Sequence, residues 1–108
     1  MDAKTAAALA SFVSTAQSVV DAYYRQSCPN LTPSKLTADP RGKRYVRIVT
    51  TTDGGQGQRS AYCFVDITNG NILKSATWKA PAKHARGSIF AEDNGRSAIG
   101  PHGANYLG

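Results

Sequence analysis

Lys79, Lys83, His84 and Arg86 follow Trp78 closely in the stretch WKAPAKHARGSIF, residues 78–90. Cations so placed suit an anion. Arg86 can fork two phosphate oxygens, whereas Lys79 and Lys83 act as point charges. With Pro81 opening a short helical turn and Gly87 closing it, Lys79, Lys83 and Arg86 fall along one side. Backbone amides at the start of that turn would add donors. A second basic segment, KRYVR at 43–47, interleaves Lys43, Arg44 and Arg47 with Tyr45. Tyr45 and Arg47 share a face of a predicted strand. That pattern suits stacking and charge neutralisation along a single nucleic-acid strand. The competing reading makes both segments solvated surface. Trp78 is expected as a core anchor at a strand end, or as a base-stacking platform if exposed.

Catalytic readings fare poorly. Asp39, Asp53, Asp66, Glu92 and Asp93 are scattered, and no pair of carboxylates in contrasting environments emerges. His84 and His102 are the only histidines, and with Cys28 and Cys63 they lack the short paired spacing of a zinc site. A Cys63–His84 nucleophile pair is opposed by the apolar run around Cys63. Gly54-Gly55-Gln56-Gly57 lacks the following GK[ST] and an opening helix, so it reads as a flexible hairpin tip rather than a phosphate loop. The expectation is a non-enzyme with no cofactor and no metal.

Bulk composition favours a polyanionic partner. The 108 residues carry a formal net charge of +6, with a pI near 9.6. Between Lys35 and Arg86 there are ten Lys/Arg against Asp39, Asp53 and Asp66, so the excess sits mid-chain. A hydrophobic content of 41% with 19% charged residues is ordinary for a folded domain and argues against disorder. Two cysteines do not make a disulfide framework. The N-terminus is interrupted by Ser11, Ser14, Gln17 and Asp21, which argues against a signal peptide. No run approaches a membrane span, and the default location is the cytosol.

The elements that must position these residues follow from periodicity. Leu9, Phe12, Val13, Ala16, Val19, Val20 and Tyr23 recur every three or four residues, predicting an amphipathic helix over 3–26 that Pro29 ends. The proline-rich stretch 28–42 reads as a connector. Strands are predicted at 43–52, 59–67 and 72–78, with Val46 and Ile48 on one face of the first. Asn69-Gly70 signals a two-residue type I′ hairpin in which Ile67 faces Ile72. In that register Ala61, Cys63, Val65, Ile67, Ile72, Ala76 and Trp78 line the core face, while Tyr62, Phe64, Asp66, Leu73, Ser75 and Thr77 face away. Residues 88–91 form a further short strand. The glycine-rich tail, with Ile99, Tyr106 and Leu107, is a last edge strand or an arm that docks on a neighbour. The whole is one α+β domain over 1–108: helix 1–27, connector 28–42, and sheet with C-terminal arm 43–108. A strongly bent antiparallel sheet forming a small SH3-like or Sm-like barrel is expected, with a flat sheet packed on one helix as the alternative.

The run YCFVDITNGNILKSATWKAPAKHARGSIF, followed by GPHGANYLG, resembles a family of small proteins of tailed bacteriophages and marine phage metagenomes. The likeness spans roughly 41–108 and centres on W-K-A-P-A-K-H-A-R-G at 78–87. It implies a phage gene product in the cytoplasm of the infected bacterial host, and an Sm-like fold. By fold analogy that fold implies ring formation and single-stranded RNA binding. Three functions are weighed. The first is nucleic-acid binding (single-stranded RNA or DNA) through Lys43, Arg44, Tyr45, Arg47, Lys79, Lys83, His84 and Arg86. The second is binding of a nucleotide or cyclic nucleotide signal. The third is a structural, ring or virion role. No membrane partner is expected, and a homo-oligomer is.

Overall fold

The computed structural model describes residues 1–105, the Arg41 side chain apart. Helix α1, Ala3–Ser27, begins where the Asp2 carboxylate accepts from the Thr5 amide at 2.7 Å, an N-cap that satisfies one orphan donor. It ends at Cys28, just before Pro29. Thr5, Leu9, Phe12, Ala16 and Val20 form its buried stripe, and Val13 and Val19 pack at the margin. Tyr23, predicted in the stripe, is half-buried, edge-on to Tyr24 and to His102.

Five antiparallel strands follow in sequence order: β1 (Lys35–Arg41), β2 (Tyr45–Thr51), β3 (Arg59–Asp66), β4 (Asn71–Leu73) and β5 (Gly87–Ser88). A separate two-stranded hairpin, β6 (Ile99–Gly100) and β7 (Gly103–Ala104), completes the chain. The architecture is α+β, as expected. Among the described residues no pairing joins β1 to β5, so the sheet is open and no closed barrel forms.

One face of the sheet packs on α1. Val46, Ile48, Cys63, Val65 and Ile72 are almost wholly buried there, with Ile89 and Ile99 closing the ends. The alternation of β2 is as predicted. The predicted connector contains β1, an edge strand that alternation marks only weakly. Leu36 turns into the core while Lys35, Thr37 and Asp39 take the opposite face. Pro40 is tolerated because an edge strand has one side with no ladder to donate to. Gln17 of α1 pins its start, accepting from the Leu36 amide and donating to the Ser34 carbonyl, both at 2.8 Å.

The hairpin register differs by two residues from the expected one. Val65, not Ile67, faces Ile72, and residues 67–70 form the connection. Only Gly70 takes a positive φ, 80°. Asp66 accepts from the Thr68 amide (2.9 Å) and hydroxyl (2.6 Å), and Gly70 donates back to the Asp66 carbonyl (2.7 Å). This side-chain-organised turn outcompetes the two-residue one. Because the shift is even, the faces survive from Cys63 to Leu73, but Tyr62 and Ala61 exchange sides and Trp78, expected on the core face, lies on the outer one. A β-bulge, with Ile48 opposite Cys63 but Val49 opposite Ala61, swings Tyr62 into the α1-side core.

The third predicted strand stops at Leu73. A Ser75–Pro81 bridge closes a loop in which Ala76 and Thr77 donate to the Ala80 carbonyl. No helical turn forms over 81–86. Instead Ala82 donates to Lys74 and Arg86 to Ile72, while His84 takes φ 69°. The predicted strand at 88–91 is β5, one residue earlier and only two long. The tail to Asn105 docks on its own core. Ala98, Ile99 and Ala104 are buried, and the Tyr62 hydroxyl donates to the Gly100 carbonyl at 2.6 Å. Tyr106 and Leu107 lie outside the described residues.

Candidate nucleic-acid interface

The sheet face turned away from α1 carries the charge. Alternation sets Lys35, Thr37 and Asp39 of β1 on it, beside Tyr45, Arg47, Val49 and Thr51 of β2 and Arg59, Ala61, Phe64 and Asp66 of β3. Val49, Phe64 and Leu73 are nonetheless buried. Loop 75–81 folds back over this face and is held down at Trp78, whose carbonyl accepts from Arg47 Nη1 at 3.0 Å.

Arg47 is the pivot. It is only 5% exposed. Its Nη2 meets Asp39 Oδ2 at 2.6 Å, and its guanidinium carbon stands 3.7 Å from the centre of the Trp78 ring. One carboxylate, one carbonyl and one aromatic face replace most of its water, leaving Nε buried without a hydrogen-bond partner. Trp78 itself is neither a core anchor nor free. It remains 36% exposed, backed by Arg47 and flanked by Arg59 at 5.5 Å. Arg59 also stands 3.9 Å from Asp39.

At the far end of β2, Arg44 stacks 5.0 Å from the Tyr45 ring and pairs with Asp66 at 2.9 Å. Burial alone would raise the Asp66 carboxyl. The Thr68 hydroxyl and amide, then Arg44, outweigh it and hold the group below its ordinary 3.8. Lys43 is exposed in the adjoining turn.

The eight expected contact residues therefore divide. Tyr45, Arg47 and Lys43–Arg44 share the outer face and its end with Trp78 and the exposed Lys79. Lys83 and His84 sit beside the C-terminal hairpin, because Arg86 is turned inward. Arg86 donates to the carbonyls of Asn105 (2.8 Å), His84 (2.8 Å) and Lys83 (3.3 Å). Arg86 is a clamp for the tail rather than an outstretched cation. Beyond it, Ile89 is buried and Phe90 is exposed.

Sequence reasoning missed Lys35 and Arg59. They flank a recess of about 360 Å³ on the outer face, closed by residues 54–57 with Thr37 and Thr51. The glycine loop there is pinned rather than loose. Asp53 (φ 55°, ψ 51°) and Gly54 (φ 63°, ψ 18°) are consecutive left-handed residues. Gly54 donates to the Pro33 carbonyl, Gly57 to the Thr52 carbonyl, and Gln58 to the Thr52 hydroxyl. A Cβ at Gly57 would lie 2.9 Å from the Thr52 carbonyl oxygen and closer still to its hydroxyl, so only glycine fits. Arg59, directly after DGGQGQ, was the available signal; Lys35 reaches the recess through the register that sets it opposite Thr51, itself opposite Arg59.

Cys63 is fully buried, and burial pushes its thiol far up, opposite to what a nucleophile needs. Cys28 and Cys63 are unbridged. Among the described residues no group of three His, Cys, Asp or Glu converges, and no helix is long and apolar enough to cross a membrane.

The chain belongs to a family of unknown function (DUF7717), whose model matches residues 4–103. That match takes in α1 as well as the sheet. No curated protein and no solved structure matches the chain significantly.

Proposed function

We propose that this member of the family is a non-enzymatic, phage-encoded protein of the infected bacterial cytoplasm that binds single-stranded nucleic acid across its outer sheet face. The observation that carries the reading is Trp78. A half-buried tryptophan, fixed from behind by an ion-paired arginine and flanked by a second arginine, is a platform already ordered for stacking. Base–aromatic stacking contributes about 1–3 kcal/mol per base, and a pre-fixed ring loses little entropy on binding. Lys43 and Arg44 at one end of β2 and Lys35 and Arg59 at the other place cations about 20 Å apart along a strand.

The element order, one helix then five consecutively paired antiparallel strands, supports the Sm-like comparison as a reading of fold. Self-association belongs to that comparison, and a monomer by light scattering at high concentration would remove it. The binding test is direct. Trp78 is the only tryptophan, so titration with single-stranded oligonucleotides at low salt should quench its fluorescence. An unchanged signal with no mobility shift would overturn the reading. A second reading, a small anionic nucleotide ligand, is favoured by the Lys35–Arg59 recess. It predicts a rise in melting temperature with micromolar mononucleotide, against which long oligonucleotides do not compete.

A further inference from the structure

Stacking on Trp78 leaves the recess at the Thr51 end of the outer face without a role. The residues lining it include two cations, Lys35 and Arg59, and no carboxylate. On that face Asp39 is 3.9 Å from Arg59 but is held at 2.6 Å by Arg47, and Asp53, next to Gly54 in the chain, is not among the lining residues. The rest of the lining is Thr37 and Thr51, Gln56 and glycine backbone, all able to donate or accept hydrogen bonds. Bare glycines bring the loop backbone close. A Cβ at Gly54 would sit 3.0 Å from the Thr32 methyl, and one at Gly55 would sit 3.4 Å from the Lys35 chain.

Charge decides what suits this recess. A phosphodiester carries one negative charge, whereas a phosphate monoester carries about −1.5 to −2 near neutral pH and three acceptor oxygens. Two cations converging on one concavity match the monoester. At about 360 Å³ the space is at the small end for ligand sites and has room for a phosphate and its sugar. Arg59 joins the two parts of the surface, since it lines the recess and stands 5.5 Å from the Trp78 ring.

The geometry points to a terminal-phosphate subsite: Lys35, Arg59 and the 54–57 loop hold a phosphate monoester while the adjoining base stacks on Trp78. This rests on the nucleic-acid reading and adds to it a preference for a phosphorylated strand end. The experiment is a Trp78 fluorescence titration with one short oligonucleotide made in three forms: 5′-phosphorylated, 3′-phosphorylated, and hydroxyl at both ends. One phosphorylated form should bind about tenfold more tightly than the hydroxyl form. Lys35→Gln should abolish that preference, so that all three forms bind alike, each weakened by the loss of one phosphate-facing cation. Equal affinity for all three forms in the unaltered protein, or a preference that survives Lys35→Gln, overturns the subsite and leaves the strand-binding reading intact. If no oligonucleotide binds, that reading falls and pyrophosphate decides the recess. Millimolar binding lost in Lys35→Gln supports the subsite, and absence of binding overturns it.

Discussion

At the residue scale Arg47 determines how Trp78 is presented. Its guanidinium serves Asp39, the Trp78 carbonyl and the Trp78 ring at once. Removing one partner of a buried ion pair costs about 3–5 kcal/mol, less where another cation stands by. With Arg59 beside Asp39, Arg47→Ala is expected to lose about 3 kcal/mol in urea unfolding. Arg47→Lys keeps the charge but not the planar fork, and should lose about 1–2 kcal/mol. Trp78→Ala separates structure from function. The ring is a third exposed, so truncation uncovers the other two thirds and stability should fall by about 2–4 kcal/mol, while oligonucleotide affinity falls at least about tenfold. A large stability loss with unchanged affinity would make Trp78 a cover for the sheet and nothing more. Alternation alone puts Arg47 and Tyr45 on one face. What it cannot reveal is the burial of Arg47, which depends on a partner 31 residues away.

At the scale of elements, two local devices reset the predicted hairpins. Asp66 is the first, because a carboxylate that accepts from Thr68 and Arg44 makes a four-residue turn better satisfied than Asn69-Gly70 alone. Its carboxyl is held below 3.8, so its contribution is present above that value and is lost as pH falls through the lower folded one. Acid unfolding should therefore begin below about pH 4. Asp66→Asn should shallow that limb and cost about 1–3 kcal/mol at neutral pH, read from melting curves across pH. The bulge at Tyr62 is the second. No period in the sequence announces one extra residue, yet it delivers the hydroxyl that fastens the β6–β7 hairpin at Gly100. Tyr62→Phe should cost about 1 kcal/mol and speed amide exchange in residues 99–104 before the rest of the sheet. The helix was legible because its stripe is long and periodic. Strand β1 was not, because Pro33 and Pro40 mask an edge strand that rests on Leu36 and on Gln17 of the helix.

For the whole molecule, net charge is a poor guide to how many cations meet a ligand. Of the basic residues expected at the interface, Arg44 is paired with Asp66, Arg47 with Asp39, and Arg86 is turned to carbonyls. Lys83 lies with the C-terminal hairpin. The outer face keeps Lys35, Lys43, Arg59 and Lys79 for phosphates, two of which only the register of the sheet brings there. A count from the sequence alone, taking six phosphates, predicts a slope of log affinity against log salt between about −4 and −5. Four cations predict about −3 for a single strand, at roughly 0.7 per neutralised phosphate. Affinity for a hydroxyl-ended oligonucleotide should then fall about 60-fold between 50 and 200 mM salt, measured by Trp78 quenching. Lys43→Gln and Lys79→Gln should each flatten the slope by about 0.7, while Lys83→Gln should leave it unchanged. A slope near −4.5 that Lys83→Gln reduces would mean the strand runs past the sheet to the C-terminal hairpin, and would move the interface off the outer face.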